Sequence, residues 1–79
     1  MKRPPSDTAQ LRAVLGLNIR LYRTRRELTQ RQLAQMAGTS PNRIGAIEKG
    51  ETSTTVDVIE RLAIVLKVEP WKLLVPDEQ

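Results

Sequence analysis

Residues 29–50 read Thr-Gln-Arg-Gln-Leu-Ala-Gln-Met-Ala-Gly-Thr-Ser-Pro-Asn-Arg-Ile-Gly-Ala-Ile-Glu-Lys-Gly, and this stretch decides the fold. Thr29 is an N-cap, because its hydroxyl can accept from a backbone N–H of the first turn. Leu33 and Ala37 recur at helical spacing, which predicts a short helix over 30–37. Ala34 is small enough to let a second helix cross closely. Gly38 stops the helix, since a residue without Cβ enters the left-handed region at no steric cost. Two residues on, Ser40 is a second N-cap, and Pro41 takes the first helical position, where a missing N–H costs nothing. The next helix is predicted over 41–49, closed by Gly50. Ile44 and Ile47 point inward in it, so Asn42, Ala46 and Lys49 point most directly outward, flanked by Arg43 and Gly45.

A pair of short helices crossed over so tight a turn, with a polar outer face on the second, is a helix-turn-helix. The pattern on either side is also helical. A first helix is predicted from Thr8 or Ala9 to about Arg26. A polar loop over 51–54 leads to Thr55, the N-cap of a helix over 56–67, and Pro70 opens a last short helix over 70–74. No useful stretch alternates with period two, so no strand is expected. The expected architecture is all-α, with five helices in one domain over residues 9–75. Residues 1–8 form a basic arm with Lys2 and Arg3, and residues 76–79 a tail.

Composition narrows the function. The 79 residues include no Cys and no His, which removes disulfides, thiol chemistry and the usual zinc ligands. The common general base and most nucleophile–base pairs go with them, so an enzyme is not expected, and no cofactor or metal. The N-terminus lacks the apolar run of a secretion signal. The longest uninterrupted apolar run, residues 62–66, is far short of the ~20 residues that span a bilayer. A cytoplasmic binding protein away from membranes is the expectation. Residues 1–26 carry seven basic groups against one acid, whereas residues 51–79 carry three against six. Nine of the thirteen cations are Arg, the residue suited to phosphates and base edges. That asymmetry points to a polyanion on one side.

On a wheel of about 100° per residue, Leu11, Leu15, Ile19 and Tyr22 share one side of the first helix, the expected core face. Arg12, Arg23 and Arg26 lie near it, and a guanidinium there needs a carboxylate partner. Val14, Leu17 and Leu21 form a second apolar stripe that a single core does not need, a candidate dimer or partner contact.

Gln30, Leu33, Ala34, Gly38, Ile44, Ile47, Glu48 and Gly50 resemble the pattern of the Cro/repressor-type helix-turn-helix proteins, the XRE family. Leu15-Gly16-x-x-Ile19-Arg20-x-x-Arg23 is similar to their first helix. Ile59-x-x-Leu62-Ala63-x-x-Leu66-x-Val68 and Leu73-Leu74 are similar to their fourth and fifth. The resemblance, over about residues 14–74, implies a five-helix lambda-repressor-like fold and a structural ion pair between Arg23 and Glu48. It implies that the helix after the turn lies in the major groove of double-stranded DNA. On that implication Arg43 reads guanine, Asn42 reads adenine and Ala46 meets a thymine methyl. Ser40 contacts backbone or a base, while Thr29 and Gln30 touch one phosphate and Lys49 another. The chain departs from the family at Pro41, where many members carry a long polar residue, and at Glu27, where they often carry glycine.

The function expected is a sequence-specific transcriptional regulator, a repressor or autoregulator in a bacterial or phage setting. It would bind a pseudo-palindromic operator as a homodimer. The dimer contact is either the 70–75 region with Trp71 and Leu74, or the Val14, Leu17 and Leu21 stripe. The competing expectation is a protein-interaction module on the same fold, such as an antitoxin-like partner-binding protein.

Overall fold

The structure is a computed structural model that describes residues 7–77, with side chains from Gln10 onward. The basic arm with Lys2 and Arg3, and the last two residues of the tail, lie outside the described residues. The chain folds into α1 (Asp7–Arg25), α2 (Gln30–Ala37), α3 (Pro41–Glu48) and α4 (Val56–Leu66), followed by one 3-10 turn, Pro70–Leu74. Among the described residues there is no strand. None of these helices is long and apolar enough to cross a membrane.

The caps explain where the helices begin and end. Thr29 Oγ1 accepts from the Gln32 N–H at 3.0 Å, and Gln32 Oε1 accepts from the Thr29 N–H at 2.8 Å, so the start of α2 is braced in both directions. Ser40 Oγ accepts from the Arg43 N–H, and Thr55 Oγ1 from the Val58 N–H. Gly38, at φ 73°, turns the chain out of α2, and Gly50, at φ 72°, turns it away from α3. Glu27 and Lys67 also stand in the left-handed region, at φ 58° and 60°. The turn after α1 therefore keeps a glycine-like conformation without glycine, and α4 ends at Leu66, with Lys67 as its cap.

Ile19, Leu33, Ile44, Ile47, Leu62, Leu66 and Leu73 are the largest fully buried side chains, drawn from all five elements. α1 packs on α3 and on the C-terminal turn, while α2 packs on α3 and α4. Gly16 marks the α1–α3 crossing. A Cβ there would stand 2.7 Å from the Glu48 carbonyl oxygen, so only glycine admits this approach.

Three expectations need correction. The fifth helix is a single 3-10 turn and not an α-helix. Asn18, 3% exposed, donates from Nδ2 to the carbonyls of Lys72, Leu73 and Val75 at 3.2, 2.9 and 2.8 Å. Those acceptors are therefore held by a side chain of α1, and Pro76 disfavours helical backbone at Val75. The second correction concerns the core face of α1. Leu15 and Ile19 are buried, but Leu11 is 47% exposed and Tyr22 only partly buried. The helix is centred on Leu15 and Ile19, with Gly16 against α3 and Asn18 against the C-terminal turn. Third, α1 begins at Asp7, inside the segment expected to be an arm.

Candidate nucleic-acid interface

The exposed side of α3 and the start of α2 carry the residues proposed to meet DNA. Ser40, Asn42, Arg43 and Lys49 are exposed, Ala46 is half-buried, and Ile44 and Ile47 are buried behind them. Thr29 and Gln30 are exposed at the N-terminus of α2. α3 thus presents a short polar face on a helix whose apolar face is locked into the core.

That helix is braced against α1 by a forked ion pair. Arg23 Nε donates to Glu48 Oε2 at 2.6 Å and Arg23 Nη2 donates to Glu48 Oε1 at 3.1 Å. Arg23 Nη1 donates to the Leu28 carbonyl at 2.8 Å, which pins the α1–α2 turn as well. The two side chains are only 13% and 5% exposed. Of the three arginines near the core side of α1, Arg23 alone meets this carboxylate. Arg26 is exposed, and among the described residues the buried Arg12 Nε has no hydrogen-bond partner.

Two connections are invisible in the sequence pattern. Gln30 Nε2 donates to Glu48 Oε1 at 3.0 Å, tying the start of α2 to the end of α3. Arg61 Nε donates to the Ala37 carbonyl at 3.0 Å, so α4 closes the C-terminus of α2 just before the turn. Helical spacing identifies faces within one element, and neither contact lies within one. Gly45 opens the surface over Gln30: a Cβ there would lie 3.8 Å from Gln30 Oε1, an ordinary contact.

The candidate dimer residues lie elsewhere. Val14, Leu17 and Leu21 line an apolar groove of about 320 Å3 with Asn18, Pro76 and Asp77. Trp71, Lys72 and Val75 line a neighbouring recess that shares Pro76 and Asp77. Leu17 is 66% exposed and Trp71 58%, whereas Leu74 leans on the core. Arg25 reaches Asp77 at 3.5 Å and stacks on Tyr22 at the edge of this region. Among the described residues no group of three His, Cys, Asp or Glu side chains could hold a metal ion.

A capped helix pair across a glycine turn, with the second helix braced from behind and polar in front, defines a helix-turn-helix protein. Residues 19–70 match the family model described as helix-turn-helix, and the chain belongs to that family, in the Cro/repressor (XRE) type its sequence resembles. The Neisseria hypothetical transcription factor of Neisseria meningitidis is 33% identical over 73 residues, covering 92% of this chain and 69% of that protein. The crystal structure of the hypothetical transcription factor NHTF from Neisseria superposes with a TM-score of 0.82 at 32% identity, over 96% of this chain and 85% of that one. Control protein C.SmaI of Serratia marcescens is 34% identical over 64 residues, 81% of this chain and 76% of its own. The restriction-modification controller protein C.AhdI from Aeromonas hydrophila superposes with a TM-score of 0.80 at 30% identity, over 85% of this chain and 97% of that one.

Proposed function

We propose that the protein is a sequence-specific transcriptional regulator that binds double-stranded DNA as a two-fold dimer in a bacterial cytoplasm. The observation that carries this reading is the braced α3: Asn42, Arg43 and Lys49 stand exposed on a helix fixed from behind by Ile44, Ile47 and the Arg23–Glu48 fork. A rigid helix of this kind, entered into the major groove, presents Arg43 to guanine O6 and N7 and Asn42 to adenine N6 and N7. In that docking Ala46 meets a thymine methyl, Ser40 contacts the backbone or a base, and Thr29, Gln30 and Lys49 contact phosphates. Relatives named as a transcription factor and as control proteins support the regulator role.

One such module covers half of a palindromic site, so two copies are proposed to bind half-sites about 34–36 Å apart. The apolar groove of Val14, Leu17 and Leu21 and the exposed Trp71 supply the dimer contact.

Selection from a random double-stranded DNA library, with sequencing of the bound pool, tests the reading. Enrichment of a two-fold symmetric site is expected, with a guanine preference that disappears in Arg43→Ala. A pool that stays random while the protein remains folded would overturn it, and would turn attention to a protein partner on the Val14–Leu17–Leu21 stripe.

A further inference from the structure

Where α1, the start of α2 and the end of α3 meet, a recess of about 200 Å3 is lined by Arg20, Arg23, Gln30, Gly45, Glu48 and Lys49. Its single carboxylate is fully engaged. Glu48 accepts from Arg23 Nε, Arg23 Nη2 and Gln30 Nε2, and its side chain is only 5% exposed. The Arg23 charge is matched by that carboxylate, and its Nη1 is held by the Leu28 carbonyl. Two cations remain, Arg20 on α1 and Lys49 beyond the end of α3. Both are exposed, and among the described residues neither lies within ion-pair distance of a carboxylate.

The third free donor is on Gln30. A side-chain amide carries two N–H groups and Glu48 is an acceptor only, so the nitrogen end must face Glu48, and one N–H is left over. Gly45 puts no side chain over that amide. The recess therefore offers an ammonium, a guanidinium and an amide N–H, with its only acid already neutralised. This is the chemistry of an anion with several acceptor oxygens, and the guanidinium fork matches phosphate in particular.

We propose that this recess seats one phosphate of the DNA backbone, with Arg20 as a phosphate-binding residue acting together with Lys49 and Gln30. The proposal rests on the DNA-binding reading above, adds α1 to the interface, and puts Gln30 and Lys49 on one phosphate where the family resemblance implies two. Gly45 acquires a role by it: the side-chain gap on α3 is the mouth through which the phosphate reaches Gln30. Glu48 serves both ends, bracing α3 through Arg23 and aiming the Gln30 amide.

The test is the salt dependence of binding to a short random-sequence duplex, followed by fluorescence anisotropy, for the intact chain and its variants. A lost phosphate contact removes about one unit from the slope of log K against log salt and weakens all sequences alike. Arg20→Gln is expected to show that loss with an unchanged melting temperature and unchanged base preferences in a selected pool. Arg20→Lys is expected to recover most of the slope. Lys67→Gln, which removes a charge that does not line the recess, is expected to leave the slope as it was. Gly45→Glu places a carboxylate at the mouth and is expected to lower affinity at least as much as Arg20→Gln. An Arg20→Gln slope equal to that of the intact chain, or an altered base preference, overturns the phosphate seat while the regulator reading stands. Failure of the intact chain to bind any duplex overturns both.

Discussion

Arg23 and Asn18 lie on the same helix and do opposite kinds of work with the same economy of atoms. Arg23 reaches three acceptors, two on Glu48 and one on the Leu28 carbonyl, and so joins α1 to both members of the helix pair. Removing the carboxylate leaves a largely buried guanidinium unpaired, so Glu48→Ala is expected to cost about 3–5 kcal/mol in urea unfolding. A midpoint unchanged by that substitution would falsify the bracing role. Asn18 gathers three carbonyls of the C-terminal turn, and Asn18→Ala is expected to cost about 1–3 kcal/mol. The single tryptophan, Trp71, sits on that turn, so its fluorescence should report the released segment before the helical core melts. Coincident transitions would argue against a local clasp. The two residues also differ in legibility. The Arg23–Glu48 pairing followed from the family pattern and from the awkwardness of an arginine beside the core. Asn18 lies at the edge of a helical wheel, and its acceptors are 54 to 57 residues away in sequence, a distance over which spacing carries no signal.

At the level of the helices, two glycines with similar neighbours in sequence are under different constraints. Gly16 is pressed against the carbonyls that end α3, which are backbone atoms with nowhere to go. Gly16→Ala must push α1 off α3 and is expected to cost about 1–3 kcal/mol or more. Because α3 is the proposed reading helix, DNA affinity should fall with it. Gly45 faces only the Gln30 amide at ordinary contact distance, so Gly45→Ala is expected to stabilise by about 0.5–1 kcal/mol through helix propensity. Thermal melts of the two variants that moved in the same direction would contradict this contrast. Glu27 extends the argument to a helix end. It holds φ 58° without the freedom of glycine, and Glu27→Gly should raise stability by up to about 1 kcal/mol, read from the same melts. The caps at Thr29, Ser40 and Thr55 were all legible because a cap is a local event, a side chain meeting an N–H two or three residues on. The 3-10 form of residues 70–74 was not, since what selects it is a contact from α1.

For the whole molecule, the fold brings the two candidate dimer surfaces together. The groove along Val14, Leu17 and Leu21 and the recess beside Trp71 share Pro76 and Asp77, so they adjoin as one surface. Leu17→Asp and Trp71→Ala are therefore both expected to shift a dimer toward monomer in sedimentation equilibrium, where separate surfaces would make only one of them effective. The proposed DNA face, on α2, α3 and Arg20 of α1, draws on none of these residues. The sequence by itself determined the all-helical class, the positions of the four α-helices, the glycine turn and the inward and outward faces of α3. Each of those depends on periodicity, capping and backbone freedom within about one turn of the chain. Only the tertiary structure decided how far the buried face of α1 extends, how the C-terminal turn is held, and that Gln30, Glu48, Arg20 and Lys49 surround one recess. Those outcomes depend on which groups meet across elements, where a hydrogen bond or a close approach is set by packing and not by spacing along the chain.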